Sequence, residues 1–295
     1  MIRASIAIAV LAHGLVARAD APAVLVGLAP ADDARLAIPI GPGGQVYEPD
    51  GKGAWVRAPQ FATASAIAFV ERGTSGIYAS GGGAVYRLAP NGWTAMRLAQ
   101  KGNALAGTGR RALAAIGRDL YDLDRPTSAS GEPVKIATAA TVIVAIGGAA
   151  IATAQGLSRL EGTKLVAIRD VRATPIGARW GISPSGAVDL RASRHVGWPS
   201  GLTIAVADAS LGGALVAVST SGELVTATGE KLSHVPIPLD HPGQPVGVVV
   251  DRAGRVAVAF RDGRIALRDH DKWTIATVED RLPPAKPGAP PATSP

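Results

Sequence analysis

The sequence predicts an all-β fold built from about seven repeats. Three observations support this class: a pattern recurs along the chain, apolar residues alternate with period two inside each repeat, and a glycine-containing turn falls at the same place in successive repeats. Alternation with period two is typical of strands with one buried face. No segment beyond the first 19 residues has the spacing of three to four residues, with capping residues, that predicts a helix.

Seven segments share the pattern of an alternating strand, a turn and a second strand. They are residues 34–58, 76–99, 112–124, 149–168, 178–192, 214–237 and 255–278. Their turn glycines are Gly44, Gly83, Gly156, Gly186, Gly222 and Gly263, and Arg118 after Gly117 occupies the remaining place. Gly44 and Gly263 are 219 residues apart, which over six steps gives about 37 residues per repeat.

When the repeats are aligned on the turn, two further positions, called columns here, hold the same type of residue in several repeats. The aliphatic residues two positions later are Val46, Val85, Leu120, Val188, Leu224 and Ile265. Ser158 breaks this column, and Leu157 beside it indicates an offset of one residue in that repeat. Trp55, Trp93 and Trp273 begin a further strand in three repeats, so each repeat is predicted to hold three or four short antiparallel strands.

One such meander cannot bury both of its faces, so neighbouring repeats must stack. Radial stacking gives a β-propeller and linear stacking gives a solenoid; the period favours a propeller of about seven blades, with six or eight left open. Residues 248–273, VVVDRAGRVAVAFRDGRIALRDHDKW, resemble the repeats of bacterial β-propellers of the regulator-propeller and WD40-like kind. The resemblance covers about residues 22–280 and implies a toroid with a central channel, but no particular activity.

The two ends of the chain have a different character. Residues 1–19 combine Arg3, an apolar stretch over 4–16 and a small-residue cleavage signal at Ala17–Ala19, the pattern of a secretory signal peptide. We therefore expect residues 20–280 to form the propeller, exported to the periplasm or the extracellular space. Residues 281–295 are rich in proline and predict a disordered tail.

The composition limits the classes of partner that the protein is expected to bind. The chain has 30 Lys and Arg against 23 Asp and Glu, and no cysteine. Because the arginines are scattered and no nucleic-acid-binding module is present, we expect no nucleic-acid partner. Without cysteine the chain can form neither a disulfide nor a thiolate metal site. No later segment is apolar and long enough to predict a membrane span, and we expect a monomer.

No motif predicts a catalytic, cofactor or metal site. The Ser183-Pro184-Ser185-Gly186 stretch lacks the glycine spacing of a nucleophile elbow, and Asp269-His270-Asp271 is interpreted as a turn between strands. The densest basic stretch lies in the most irregular repeat, over 171–200. We expect its loops to contribute a binding surface for an anionic or polymeric partner, with these candidate residues: Arg179, Trp180, Arg194, His195 and Trp198.

Two classes of function remain open at this point. The first, which the short hairpin loops favour, is a non-catalytic exported propeller that binds a protein or an anionic envelope polymer as a scaffold. The second is a propeller hydrolase or lyase with a site at the mouth of the channel. The sequence predicts no cofactor for either class.

Overall fold

The fold is described from a computed structural model, which covers residues 22–30, 36–58, 69–72, 76–81, 84–89, 92–96, 98, 104–107, 112–126, 132–169, 171–209, 213–251 and 253–282. The predicted signal peptide, the turn glycine Gly83 and residues 283–295 of the predicted tail lie outside these residues.

The described residues form 28 β-strands and no helix. The first eight strands are β1 Gly27–Pro30, β2 Ala37–Ile40, β3 Tyr47–Pro49, β4 Trp55–Arg57, β5 Phe69–Arg72, β6 Ile77–Gly81, β7 Ala84–Ala89 and β8 Gly92–Ala95. The next eight are β9 Ala104–Gly107, β10 Ala112–Ile116, β11 Asp119–Pro126, β12 Pro133–Thr138, β13 Ile143–Gly147, β14 Ala150–Thr153, β15 Gly156–Glu161 and β16 Lys164–Ile168. The last twelve are β17 Thr174–Ile176, β18 Trp180–Ser183, β19 Gly186–Asp189, β20 Arg194–Gly197, β21 Ile204–Ala209, β22 Leu215–Ser219, β23 Glu223–Thr228, β24 Lys231–Pro236, β25 Pro245–Val250, β26 Val256–Phe260, β27 Arg264–Asp269 and β28 Lys272–Glu279.

Consecutive strands pair antiparallel in sequence order, which makes each blade a meander. Five sheets have four strands each, namely β5–β8, β9–β12, β13–β16, β17–β20 and β21–β24. The sequence predicted three or four strands for each repeat, and these five repeats have four. Among the described residues no helix has the length and apolar character needed to cross a membrane.

The first strand of each meander lies innermost. β5, β9, β13, β17 and β21 each contact the first strand of the next meander, and β1 lies between β25 and β5, contacting both. These strands therefore form a closed ring about an axis, as the first strands of propeller blades do. Because all of them begin at the same end, we call that end the entry face and the other end the exit face.

The ring closes through the first repeat. β25–β28 continue into β4 and β3, since β28 pairs parallel with β4 over Val278–Trp55 and Glu279–Val56. The N-terminal segment adds to this closure: the amide of Ala23 donates to the carbonyl oxygen of Val278 at 2.8 Å. Residues of β1–β4 and β25–β28 share one apolar cluster, which includes Leu25 and Tyr47. The first and last described strands are thus held in one packed unit.

Six sheets have four or more strands, which gives a six-blade arrangement and confirms the propeller within the range left open. The sequence favoured about seven blades because the first repeat matches the pattern. In the structure β1 and β2 form only a two-stranded sheet, and β2 meets the following strand through a single bridge, Ile40 to Val46. Pro39 supplies no N–H in β2, which limits its pairing.

The aliphatic column is buried throughout. Its exposed fractions run from 0% at Leu120 to 8% at Val188, and Leu157 is 3% exposed, which confirms the offset at Ser158. Gly44, Gly222 and Gly263 have the positive φ expected of their turns. Gly186 does not; its missing side chain instead leaves room for the ring of His195, which a Cβ would approach to 2.7 Å.

Arg281, the first residue of the predicted tail, contacts the first repeat. It pairs with Asp50 at 3.2 Å and with Glu279. The carbonyl oxygen of Arg281 also accepts a hydrogen bond from the amide of Arg57. Arg281 is therefore attached to the propeller.

Candidate binding site

The repeat over 171–200 forms the blade β17–β20, whose ends lie on opposite faces of the ring. β18 and β20 both run from the exit face to the entry face, because they alternate with the inner strand β17 and with β19. Residues that precede or begin β18 and β20 therefore lie near the exit face, and residues that follow them lie near the entry face.

Arg179 lies at the exit end and is held by an acid. Its Nε and Nη2 donate to Oδ2 of Asp189 at 2.9 and 2.7 Å, and the side chain of Asp189 is only 3% exposed. Burial raises the pKa of Asp189, but the Arg179 guanidinium and the amides of Arg191 and Ala192 together hold it below its usual value. The positive charge of Arg179 therefore compensates the buried carboxylate of Asp189.

Trp180 is part of the core. Its side chain has no exposed surface, and its Nε1 donates to the carbonyl oxygen of Gly213 in the next blade at 2.7 Å. The guanidinium of Arg179 lies 5.3 Å from the centroid of the ring. Trp180 can therefore join two blades and position Arg179, but its ring is not available to contact a partner.

Arg194 begins β20 at the exit end and is exposed. It pairs with Glu230, which lies in the corresponding turn of the next blade and is also exposed. An exposed pair of this kind contributes little to stability, about 0 to 1 kcal/mol, because solvent and salt screen both charges. Arg194 therefore remains available to exchange Glu230 for an external anion.

His195 and Trp198 extend toward the entry end. The Nε2 of His195 lies 3.1 Å from Oγ of Ser185, in the turn between β18 and β19. The half-buried Trp198 donates from Nε1 to the carbonyl oxygen of Ser183 at 3.0 Å, and from its amide to Ser185. These bonds fasten the outer strand to the turn.

The contact of Ser185 with His195 raises the question of a nucleophile and base. Ser183 donates its proton to the carbonyl oxygen of Gly186 at 3.0 Å, so in its contact with Ser185 at 3.2 Å it must accept. When Ser185 donates to Ser183, His195 Nε2–H is the donor to Ser185; in the other tautomer of His195, Nε2 accepts from Ser185 instead. The contact alone therefore assigns no general base.

The structure therefore does not gather the five candidate residues into one surface. Arg179, Trp180 and Arg194 lie toward the exit face, whereas the ring of His195 and Trp198 lie toward the entry face. The short strands, four residues each in β18 and β20, separate the two groups by the height of the blade. The sequence places all five in one repeat, but the strand direction divides them.

Two polar residues that hold this region together were missed by the sequence analysis. Asp189 is the sole charged residue of its strand, GAVD, and Asp208 is the sole charged residue of β21, IAVADA. The Oδ2 of Asp208 accepts from the amide of Val250, so it joins two inner strands, and burial raises its pKa. A lone carboxylate in an apolar strand is the signal that could have identified both residues.

The Asp269-His270-Asp271 stretch is a turn, as predicted. It connects β27 to β28, and Nδ1 of His270 lies 2.8 Å from Oδ1 of Asp269. Among the residues the structure describes, no three His, Asp or Glu side chains are placed to hold a metal ion together.

Comparisons with known proteins identify the fold. No family model matches the chain, and no curated protein matches it. Among solved structures, the WD40 β-propeller domain of Doa1 is similar with a TM-score of 0.60 and 10% identity, covering 85% of this chain and 94% of that one. The extracellular domain of the putative hybrid two-component system BT4673 from B. thetaiotaomicron is similar with a TM-score of 0.58 and 13% identity, covering 85% and 38%. At these identities the similarity shows a shared β-propeller fold.

Proposed function

We propose that this protein is an exported, non-catalytic β-propeller scaffold that binds a protein or an anionic envelope component. The binding surface is the entry face of the β17–β20 blade. The observation that carries the proposal is a group of exposed cationic and aromatic side chains at that end: Arg169, Arg172, His195 and the half-buried Trp198. Arginine beside tryptophan suits an anionic partner through charge and stacking.

Arg169 and Arg172 differ from Arg179 and Arg194. Both are exposed, and neither has an ion pair with any described residue, whereas Arg179 and Arg194 each have a carboxylate partner. Arg169 follows the outer strand β16 and Arg172 precedes the inner strand β17, so both lie on the entry face. Their charges can therefore be used for an external anion at no cost to an existing pair.

A direct test is capture of partners from envelope extract with the mature protein immobilised. We expect Arg169→Ser combined with Arg172→Ser to reduce capture about tenfold, since each exposed charge contact is worth about 0.5 to 1 kcal/mol. The matched control is Arg191→Ser combined with Arg125→Ser, two exposed arginines of the exit side. Equal capture by both double variants would contradict the proposal.

Export is supported by the pattern of residues 1–19 and by the similarity to an extracellular domain. The mature chain then begins at Asp20. N-terminal sequencing of the protein recovered from the periplasm or medium tests this; recovery only from the cytoplasm with Met1 retained would contradict it.

A further inference from the structure

Two exposed valines lie near the entry end of the inner strand β13. Val142 is 50% exposed and Val144 is 61% exposed, the highest value among the exposed large apolar residues of the described chain. Val144 is the second residue of β13, which is an innermost strand. A water-exposed aliphatic pair at this position is unfavourable unless something covers it.

A β-bulge places Val144 there. The pairing of β13 with β14 shifts between Ile143 and Ala145, so Val144 has no partner across the ladder. A bulged residue leaves its backbone polar groups unpaired and turns its side chain out of the regular alternation. β13 is also an edge strand of its sheet. The valines are therefore accompanied by backbone donors and acceptors that an extended chain could use.

Arg118 flanks the valines on one side. The loop from Ala139 to Ile143 is hydrogen-bonded to the preceding turn. The amide of Ala139 donates to the carbonyl oxygen of Arg118, and the amide of Ile143 donates to that of Gly117, each at 2.8 Å. The Nη1 of Arg118 lies 3.5 Å from the carbonyl oxygen of Ala140, and its side chain is exposed. The guanidinium is thus held beside the loop that carries Val142.

Arg172 flanks them on the other side. A Cβ on Gly147 would lie 2.3 Å from the carbonyl carbon of Pro175, so these residues of β13 and β17 are side by side. Inner strands of a propeller run in the same direction, so Arg172, which precedes β17, lies at the same entry end as Val144 near the start of β13. Arg172 is exposed and has no ion pair with the described residues.

Asp119 follows Arg118 in the sequence. Its carboxylate accepts from Thr138 at 2.6 Å and pairs with Lys135 at 3.5 Å, and Arg118 also helps to lower its pKa. Among the described residues, Arg118 and Arg172 therefore supply a basic side chain on each side of the valines.

We propose that Val142 and Val144, with Arg118 and Arg172, bind an extended peptide segment in which aliphatic residues are flanked by carboxylates. The aliphatic side chains cover the valines, the carboxylates meet the arginines, and the peptide backbone pairs with the edge of β13. A lipid acyl chain would cover the valines but leave the backbone groups of the bulge unpaired, which is unfavourable. This inference rests on the proposed function, because it names the partner class of the entry face.

The test uses the full mature protein and a fluorescent heptapeptide, Glu-Glu-Leu-Val-Leu-Glu-Glu, measured by anisotropy. Two further peptides replace the glutamates by lysines or the aliphatic residues by glycine and serine. We expect binding of the first peptide alone, weakening as salt increases. Val144→Ser should weaken binding about five- to tenfold by removing apolar contact area. The matched control is Val166→Ser, a 44% exposed valine on the outer strand β16.

A double variant, Arg118→Ser with Arg172→Ser, should weaken binding about tenfold and flatten its dependence on salt. Circular dichroism and melting must show that each variant folds. Three outcomes would each overturn the inference. The first is that Val144→Ser and the wild type bind the peptide equally, and the second is that the lysine peptide binds equally well. The third is that the protein binds anionic phosphatidylglycerol vesicles but no peptide. Partner capture that still depends on Arg169 and Arg172 would, in those cases, leave the proposed function standing.

Discussion

Individual residues of this protein show where a repeat departs from its neighbours. In the turns that lead to the outer strands β16 and β24, Gly162 and Gly229 have φ values of 63° and 62°. His270 occupies the same place before β28 with a φ of 54°, one of two residues other than glycine with positive φ in the described chain. An L-residue pays a steric penalty in this region that glycine avoids.

We therefore expect His270→Gly to raise the free energy of unfolding by about 0.5 to 1 kcal/mol. The side chain of His270 is 88% exposed, so little packing is lost. Urea unfolding would measure the gain. His270→Ala is the control, since alanine keeps the steric penalty; a gain of the same size in that variant would show that the backbone is not the cause.

The buried carboxylate of Asp189 forms an ion pair with Arg179 in the β17–β20 blade. Asp189→Asn should destabilise the fold at neutral pH by about 2 to 3 kcal/mol, because Arg179 and two amides lose their acceptor charge. Its folded-state pKa lies below the usual value, so this stabilisation is present above about pH 4 and is lost as the pH falls through the folded-state pKa.

The difference in unfolding free energy between wild type and Asp189→Asn should accordingly shrink between pH 7 and pH 3. Glu230→Gln, which removes the exposed partner of Arg194, serves as the control and should cost under about 1 kcal/mol. A difference for Asp189→Asn that does not change with pH would exclude the charge as its origin.

The elements of the ring depend on close approach between inner strands. β13 and β17 touch where Gly147 meets Pro175, with no room for a side chain. The inner strands β13, β21 and β25 also share a bulge next to their first residue. The glycine contact and the bulges both bend the inner edge of a blade, so that neighbouring blades can pack around the axis.

Gly147→Ala should lower the free energy of unfolding by more than about 2 kcal/mol, since the new methyl group would displace the backbone of β17. Thermal melting would detect this. Gly197→Ala in β20 is the control: its Cβ would lie 3.8 Å from the carbonyl oxygen of Ser185, an ordinary contact. If both variants melt at the same temperature, the contact between β13 and β17 is not the constraint described here.

The whole molecule is closed by residues that are far apart in sequence. The segment before β1 lies on the β26–β27 turn and on β28: Leu25 is fully buried and donates its amide to Arg261, and Ala23 donates to Val278. A Cβ on Gly263 would lie 2.5 Å from the carbonyl oxygen of Ala23. Closure couples the first strands to the last blade, as stacking of neighbours requires in a repeat protein.

Leu25→Asp should therefore destabilise the fold by more than about 4 kcal/mol, because it buries an unpaired carboxylate and removes packing. Hydrogen exchange should show lost protection in β25–β28 as well as β1–β4. Val24→Asp is the control, since Val24 is 50% exposed. Protection of β25–β28 that survives Leu25→Asp would show that the ring does not depend on this segment.

The sequence by itself determined the all-β class, a repeat of three or four strands and the buried aliphatic position of each repeat. These features depend on local chemistry: alternation sets which side chains of a strand face the core, and turn residues set where strands end. The offset at Leu157 and the strands begun near Trp55, Trp93 and Trp273 were predictable for the same reason.

Only the tertiary structure decided how the repeats associate and which side chains share a surface. The first repeat matches the pattern, yet it divides between a two-stranded sheet and the edge of the last blade, because pairing depends on strands that are over 200 residues away. Arg179 and Trp198 belong to one repeat of the sequence but lie toward opposite faces, whereas Arg118 of one meander lies against Ala140, which precedes the next. Strand direction and packing around an axis bring distant residues together. The spacing of residues within one repeat does not predict the direction of its strands or how the repeats pack.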